Sequence, residues 1–260
     1  MKIRTWRAAG VLAAAALHIA HSATAQPVSP APGDSLAVEL YARPADRAEL
    51  LRAIAATQPA RLAAWRAAGL VTGYRLLFAR YADDGVWDAL ELLTFRNAEA
   101  RARWTTRERD APGGLPQAVL AHGSRVVTTP AQPIRHEATA VAGSHPAYLV
   151  LPYAVLASTP DYLRYLDTYT LPQFRGWIAE GVLEGYEVEF ADYPAGRAWQ
   201  ALILLRYRDD AALAVREPTT TKVRAQLAAD PAWKAVSESK QQVRTEKAAA
   251  VADAIAEAGG

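Results

Sequence analysis

Trp177-Ile178-Ala179-Glu180-Gly181-Val182-Leu183-Glu184-Gly185-Tyr186 runs on through Phe190, Ala191 and Tyr193 to Trp199 and an apolar run over residues 201–205. The same signposts stand earlier in the chain as Trp65, Gly69, Gly73, Tyr74, Phe78, Ala79, Tyr81, Trp87, Ala89, Leu90, Leu92 and Leu93, each 112 residues before its copy. Residues 62–98 match residues 174–210 without a gap at 14 of 37 positions, including two Trp, two Gly and two Tyr pairs. Rare residues recurring in register mark an internal duplication, and each copy must then be one structural unit.

Working outward, the first copy begins with an alternating strand pattern over residues 36–41. Pro44 and Asp46 open a helical stretch in which Leu51, Ile54, Gln58, Leu62, Trp65 and Gly69 recur at three- and four-residue steps. Pro59 is expected to bend or split it, and Gly69 to end it as a left-handed cap. A hairpin follows: residues 74–81, the turn Asp83-Asp84-Gly85, and residues 87–95, apolar on both faces as an interior strand is. Asn97 is placed to cap a helix over 98–109, and residues 125–129 read as the last strand. The order is β-α-β-β-α-β.

Residues 130–147, with Pro130, Pro133, Gly143 and Pro146, read as a linker. The second copy repeats the order: strand 148–155, helix 160–180, hairpin 184–207, helix 209–227, a helical piece around Trp233 and a final strand at 241–245. The units span 35–129 and 148–246. Residues 247–260, rich in Ala, are expected to be a terminal helix and tail.

Each sheet has one face under its own helices. A second face carrying Leu90 and Leu92, or Leu202 and Leu204, cannot stay in water, so the two sheets are expected to pack on each other. That arrangement resembles the dimeric α/β-barrel superfamily of ferredoxin-like units, here as a tandem duplication in one chain. The hairpin-to-helix junctions, Leu93-Thr94-Phe95-Arg96-Asn97-Ala98 and Leu205-Arg206-Tyr207-Arg208-Asp209-Asp210, are similar to those of EthD-like and NIPSNAP-like members. The expected fold class is therefore α+β, two tandem ferredoxin-like units closed sheet to sheet into a pseudo-symmetric barrel.

At the amino terminus, Lys2, Arg4 and Arg7 precede an apolar stretch over residues 8–20 and Ala23-Thr24-Ala25. A basic region, a short apolar core and a small-x-small site make residues 1–25 a secretory signal peptide, too short to span a bilayer. The expected location is periplasmic or secreted. Residues 26–34, with three prolines, form an extended leader. Without residues 1–25 the formal net charge moves from +2 to −1, because the segment holds three cations and no acid. A near-neutral chain without a Lys/Arg cluster is not built for nucleic acid. The absence of Cys excludes disulfides, iron–sulfur clusters and thiol catalysis.

A ligand is expected in the barrel lumen, among apolar walls with a few convergent polar groups. If Tyr74, Leu76 and Phe78 face the helices, Arg75 faces inward, as do its counterparts Glu187 and Glu189. The neighbouring strands add Asp88 and Thr94, and Gln200 and Arg206. One carboxylate near Arg206 would stay ionised, and a second, desolvated beside it, would have a raised pKa. The plainer alternative puts both glutamates on an exposed face. Tyr41 and Tyr153 each end the first strand of their unit, near the barrel mouth, and complete the candidate set: Tyr41, Arg75, Tyr153, Glu187, Glu189, Gln200 and Arg206. The aromatic stripe Tyr153, Tyr162, Tyr165, Tyr169, Phe174 and Trp177 is expected to be core, a ligand pocket being the alternative.

Beyond residue 25 the chain has only His122, His136 and His145. Resemblance to the chlorite dismutase family would imply a haem-binding His in the second unit, and nothing after His145 can play that part. No spaced His and acidic ligands, phosphate loop or Gly-x-Ser-x-Gly elbow is present. No metal and no cofactor are expected. The expected function is an exported protein binding a small apolar or aromatic molecule, with no nucleic acid and no membrane span, as monomer or homodimer. A cofactor-independent oxygenase, cyclase or isomerase is the alternative the resemblance permits, and a barrel with a filled lumen is the third.

Overall fold

A computed structural model describes residues 33–139 and 145–259. The expected signal peptide and nearly all of the expected leader lie outside these residues. Asp34, expected as its last residue, already belongs to the first strand and pairs with Phe95.

The first half comprises β1 (Asp34–Ala42), α1 (Arg47–Ala67), β2 (Gly73–Ala79), β3 (Ala89–Phe95), α2 (Ala98–Ala102), α3 (Thr105–Asp110), α4 (Gln117–Leu120) and β4 (Gly123–Ala138). The second comprises β5 (Ala147–Val155), α5 (Thr159–Tyr165), a π-helical turn (Leu166–Thr170), α6 (Leu171–Ala179), β6 (Leu183–Ala191), β7 (Ala201–Tyr207), α7 (Asp210–Ala214), α8 (Arg216–Leu227), α9 (Pro231–Val243), β8 (Arg244–Glu246) and β9 (Ala250–Ala258). Each hairpin runs into a capped helix. Asn97 accepts from the Ala100 amide at 2.9 Å and Asp209 from that of Ala212 at 2.7 Å.

Eight strands close into an antiparallel barrel in the order β1-β3-β2-β9-β5-β7-β6-β4, with β8 at the margin of β5. Inside it lie Leu77, Leu90, Leu92, Val150, Leu202 and Leu204. Outside, Tyr74, Leu76 and Phe78 meet the helices of the first half, and Tyr186 and Val188 those of the second. The fold class is thus the expected one.

The closure itself departs from expectation. Residues 130–138 are the second half of β4: residues up to Ala131 pair with β1, and Ala131–Ala138 cross over to β6. Of the prolines that mark a linker, Pro133 sits where the ladder shifts register, before Arg135, and Pro130 pairs in register with Leu36 of β1. The terminal segment is likewise a strand, because β9 pairs with β5 through Ala250–Asp253 and with β2 through Ala252–Ala258. Alanine favours helix by only about 0.5 kcal/mol per residue over ordinary residues. Two open sheet edges outweigh that preference, and small side chains suit the crowded interior where Ala250 and Ala252 are buried.

Two local readings also change. α1 is continuous through Pro59, whose missing hydrogen bond frees the carbonyl of exposed Ala55 to water. Its buried stripe uses Leu50 in place of Leu51, which is 38% exposed. Gly69 and Gly181 end α1 and α6 with φ of +70° and +72°, as left-handed caps require.

The duplicated tryptophans are buried against their own sheets. Trp65 meets Trp104 edge-on at 4.9 Å, and Trp177 packs on Phe174 at 5.2 Å. Trp65→Ala or Trp177→Ala is expected to cost about 3–5 kcal/mol in urea unfolding. A loss below about 1 kcal/mol would assign the ring a surface role.

Candidate functional site: a polar mouth on an apolar lumen

A cavity of about 350 Å³ opens where β2 and β6 begin and β3 and β7 end. Leu204, Pro133 and Ala138 give it apolar walls, while Arg75, Thr94, His136, Tyr148, Glu187 and Arg206 give it polar ones. Alternation along short strands places these groups: on β2 and β6 every second residue turns inward, so Arg75 and Glu187 face each other from opposite sheets.

Arg75 and Glu187 stand 112 residues apart and form an ion pair. The duplication therefore brings the same position of both copies together and has diverged it into a cation and an anion. One residue pair deeper, Glu189 is fully buried. Its Oε2 accepts from the Ser35 hydroxyl, and its Oε1 has no donor. Burial, then the charge of Glu187, push its carboxyl well above the usual range, which favours its protonated form.

A second cluster surrounds Arg206. Its guanidinium donates to Glu184 and, at 3.0 Å, to Glu257, and its Nε donates to the Tyr148 hydroxyl at 3.1 Å. Tyr148 donates in turn to Glu257. Burial raises the Tyr148 phenol, which stays protonated. His136, opposite Glu187 in the β4–β6 ladder, has a buried Nδ1 without a partner.

The candidate residues divide. Arg75, Glu187 and Arg206 line the cavity and Glu189 lies beneath it, but it is Arg75, not Arg206, that pairs with Glu187. Gln200 precedes β7 and accepts from the Val155 amide at 2.5 Å, away from the cavity. Asp88 binds the Ala42 amide and Arg47 outside the lumen. Tyr41 lies under the Arg125 guanidinium, 3.7 Å from its ring centroid, in a separate depression.

Tyr153 faces the helices, with Arg244 4.4 Å over its ring. The equivalence with Tyr41 fails in the first strand. Leu36 pairs with Leu93, and Leu149 pairs with Leu205, so there the copies are offset by 113 residues. A one-residue shift in a strand turns every side chain to the other face.

Ser35, His136, Tyr148, Glu184 and Glu257 were not singled out from the sequence. Tyr148 and Val150 share a face by simple alternation and were legible. Glu257 was hidden in a tail read as helix. Glu39, on the interior face of β1, is also buried; burial lifts its carboxyl to about 7, against the pull of Trp199, Arg125 and Arg197.

These features define a class: an α+β barrel of two ferredoxin-like units with a cavity at its mouth. Solved structures of that class are similar to this chain in fold. A presumed monooxygenase of Lactobacillus acidophilus NCFM matches with a TM-score of 0.52 and 14% identity, over 87% of this chain and 96% of its own. An anthrone oxidase-like protein matches with a TM-score of 0.50 and 11% identity, over 86% and 92%. A mutant chlorite dismutase of Candidatus Nitrospira defluvii matches with a TM-score of 0.50 and 6% identity, over 86% and 91%. No family model and no curated protein sequence matches the chain.

Proposed function

We propose that this is an exported protein, periplasmic or secreted, that binds a small apolar or aromatic molecule bearing a polar group at the barrel mouth. The observation that supports this reading is the joining of an apolar wall to unspent polarity in one cavity. His136 keeps a buried nitrogen without a partner, while Leu204 and Pro133 line the same space. A volume of about 350 Å³ lies in the range of small-molecule sites. Arg75 and Arg206 already carry carboxylate partners, which favours a neutral ligand over an anion. The finer likeness to EthD-like and NIPSNAP-like proteins rests on the two hairpin-to-helix junctions.

Haem has no place in this reading. The space between helices and sheet in the second half is about 60 Å³ and has no histidine in its lining, and a macrocycle does not fit there. A second reading, a cofactor-independent enzyme, draws on Glu189, whose favoured protonated form beside Glu187 is the pairing that acid–base chemistry uses.

Native mass spectrometry of protein purified from its own source tests the main reading. The expected result is a chain starting at Gln26 with a retained small-molecule mass, released on unfolding. A bare chain, under conditions that keep a reference non-covalent complex intact, would overturn it.

A further inference from the structure

A second cavity, about 60 Å³, lies between the helices and the sheet of the second half. Its lining is rich in donors without acceptors. The hydroxyls of Tyr162, Tyr169 and Thr170 and the indole N–H of Trp177 have no partner, although these residues are 1%, 2%, 6% and 4% exposed. Arg216 Nε, in the same lining, is also unpartnered. A buried donor left unsatisfied costs about 1–3 kcal/mol, so five around one small space call for a shared acceptor.

Charge points the same way. Arg216, Arg224 and Arg244 line the cavity. Arg216 also reaches out to exposed Glu217, and Arg244 donates to the Tyr165 hydroxyl at 2.9 Å. Arg224 donates only to the neutral Gln173 Oε1, at 2.7 Å, with no carboxylate partner among the described residues. The Lys240 ammonium lies 5.6 Å from the Tyr169 ring. Among the described residues Glu246 is the one carboxylate in the lining, and it already accepts from Arg244 at 3.2 Å and Tyr153 at 3.3 Å. Burial pushes the Tyr162 phenol well up, so its hydroxyl remains a donor.

The two copies differ at this space. Trp104, 112 residues before Arg216, fills its place in the first half with a ring packed on Trp65. In the second half the π-helical turn Leu166–Thr170 brings the consecutive residues Tyr169 and Thr170 both to the interior. A π-turn costs regular hydrogen bonding and recurs where a site needs it.

We propose that this cavity binds one small oxyanion, of the size of nitrate, sulfate or phosphate. The Arg224 guanidinium, which has no carboxylate partner among the described residues, together with the unpartnered hydroxyls and N–H groups of the same lining, matches the acceptor oxygens of such an ion. The volume admits little more, since one water already needs roughly 10–15 Å³. The site is separate from the barrel-mouth cavity and does not depend on the function proposed for it.

The test uses the full mature chain. Sodium nitrate, sulfate and phosphate are titrated at constant ionic strength against sodium chloride, with tryptophan fluorescence and thermal midpoint as readouts. The expected result is a saturable response to at least one oxyanion beyond that of chloride. It should weaken roughly tenfold in Tyr162→Phe and in Tyr169→Phe, the loss of one hydrogen bond to a charged group. Tyr81→Phe, at a residue 72% exposed on a distant hairpin, should leave it unchanged. Responses no greater than chloride's would mean that water alone fills the cavity and would overturn the proposal. So would equal affinity in parent and both cavity variants when these fold normally, because the ion would then bind elsewhere.

Discussion

A chain ending at Lys247 is expected to lose cooperative folding and to associate through exposed strands. Among the described residues β9 is the one element that joins β2 to β5, so its removal opens the barrel along two edges at once. Leu77, Val150 and Tyr148, buried in the lumen, would meet water through the gap, and unpaired edges recruit other chains. Arg206 and Tyr148 would also lose Glu257, leaving a guanidinium short of one of its carboxylates. Urea unfolding and size-exclusion chromatography check this. A monomeric truncated chain with the parent's unfolding midpoint would falsify the view that the tail closes the barrel.

Glu91→Gln is expected to stabilise the protein at alkaline pH and to flatten its pH dependence. Glu91 points to the helix side of β3, fully buried, with one oxygen accepting from Gln58 Nε2 at 2.7 Å and the other without a donor. Burial raises its carboxyl from 4.5 to about 8. The folded chain therefore keeps a proton that the unfolded chain releases near 4.5. Stability contributed by this group is whole below that value and is lost as pH rises towards about 8, after which the loss is constant. At about 1.4 kcal/mol per unit the full effect approaches 5 kcal/mol. A neutral amide of the same shape removes it, so parent and variant should agree near pH 4.5 and diverge through pH 8. Parallel curves of urea midpoint against pH would show that Glu91 ionises freely or is not buried.

Much of the fold was legible because duplication is a covalent fact. Trp65 and Trp177, Gly69 and Gly181, and the paired hairpins name two equal units, and their doubly apolar strands require that the units face one another. The inward turn of Arg75, Glu187, Glu189 and Arg206 followed from alternation once the strands were placed. Tyr153 went astray because one residue of offset in the first strand, invisible in the well-matched hairpins, inverts a face.

The sequence by itself determined local periodicity, helix caps and the repeat, since these depend on neighbours within a few residues or on matching one segment to another. Only the tertiary structure decided that β4 and β9 leave their own units to bridge the two sheets. An Ala-rich strand and a helix differ little in intrinsic preference, and the choice falls to edges more than a hundred residues away. The same distance explains the site. Arg75 meets Glu187, Glu257 reaches Arg206, and Ser35 binds Glu189 across separations of 112, 51 and 154 residues. Such partners are set by how a closed barrel brings its strands together, and no local pattern records them.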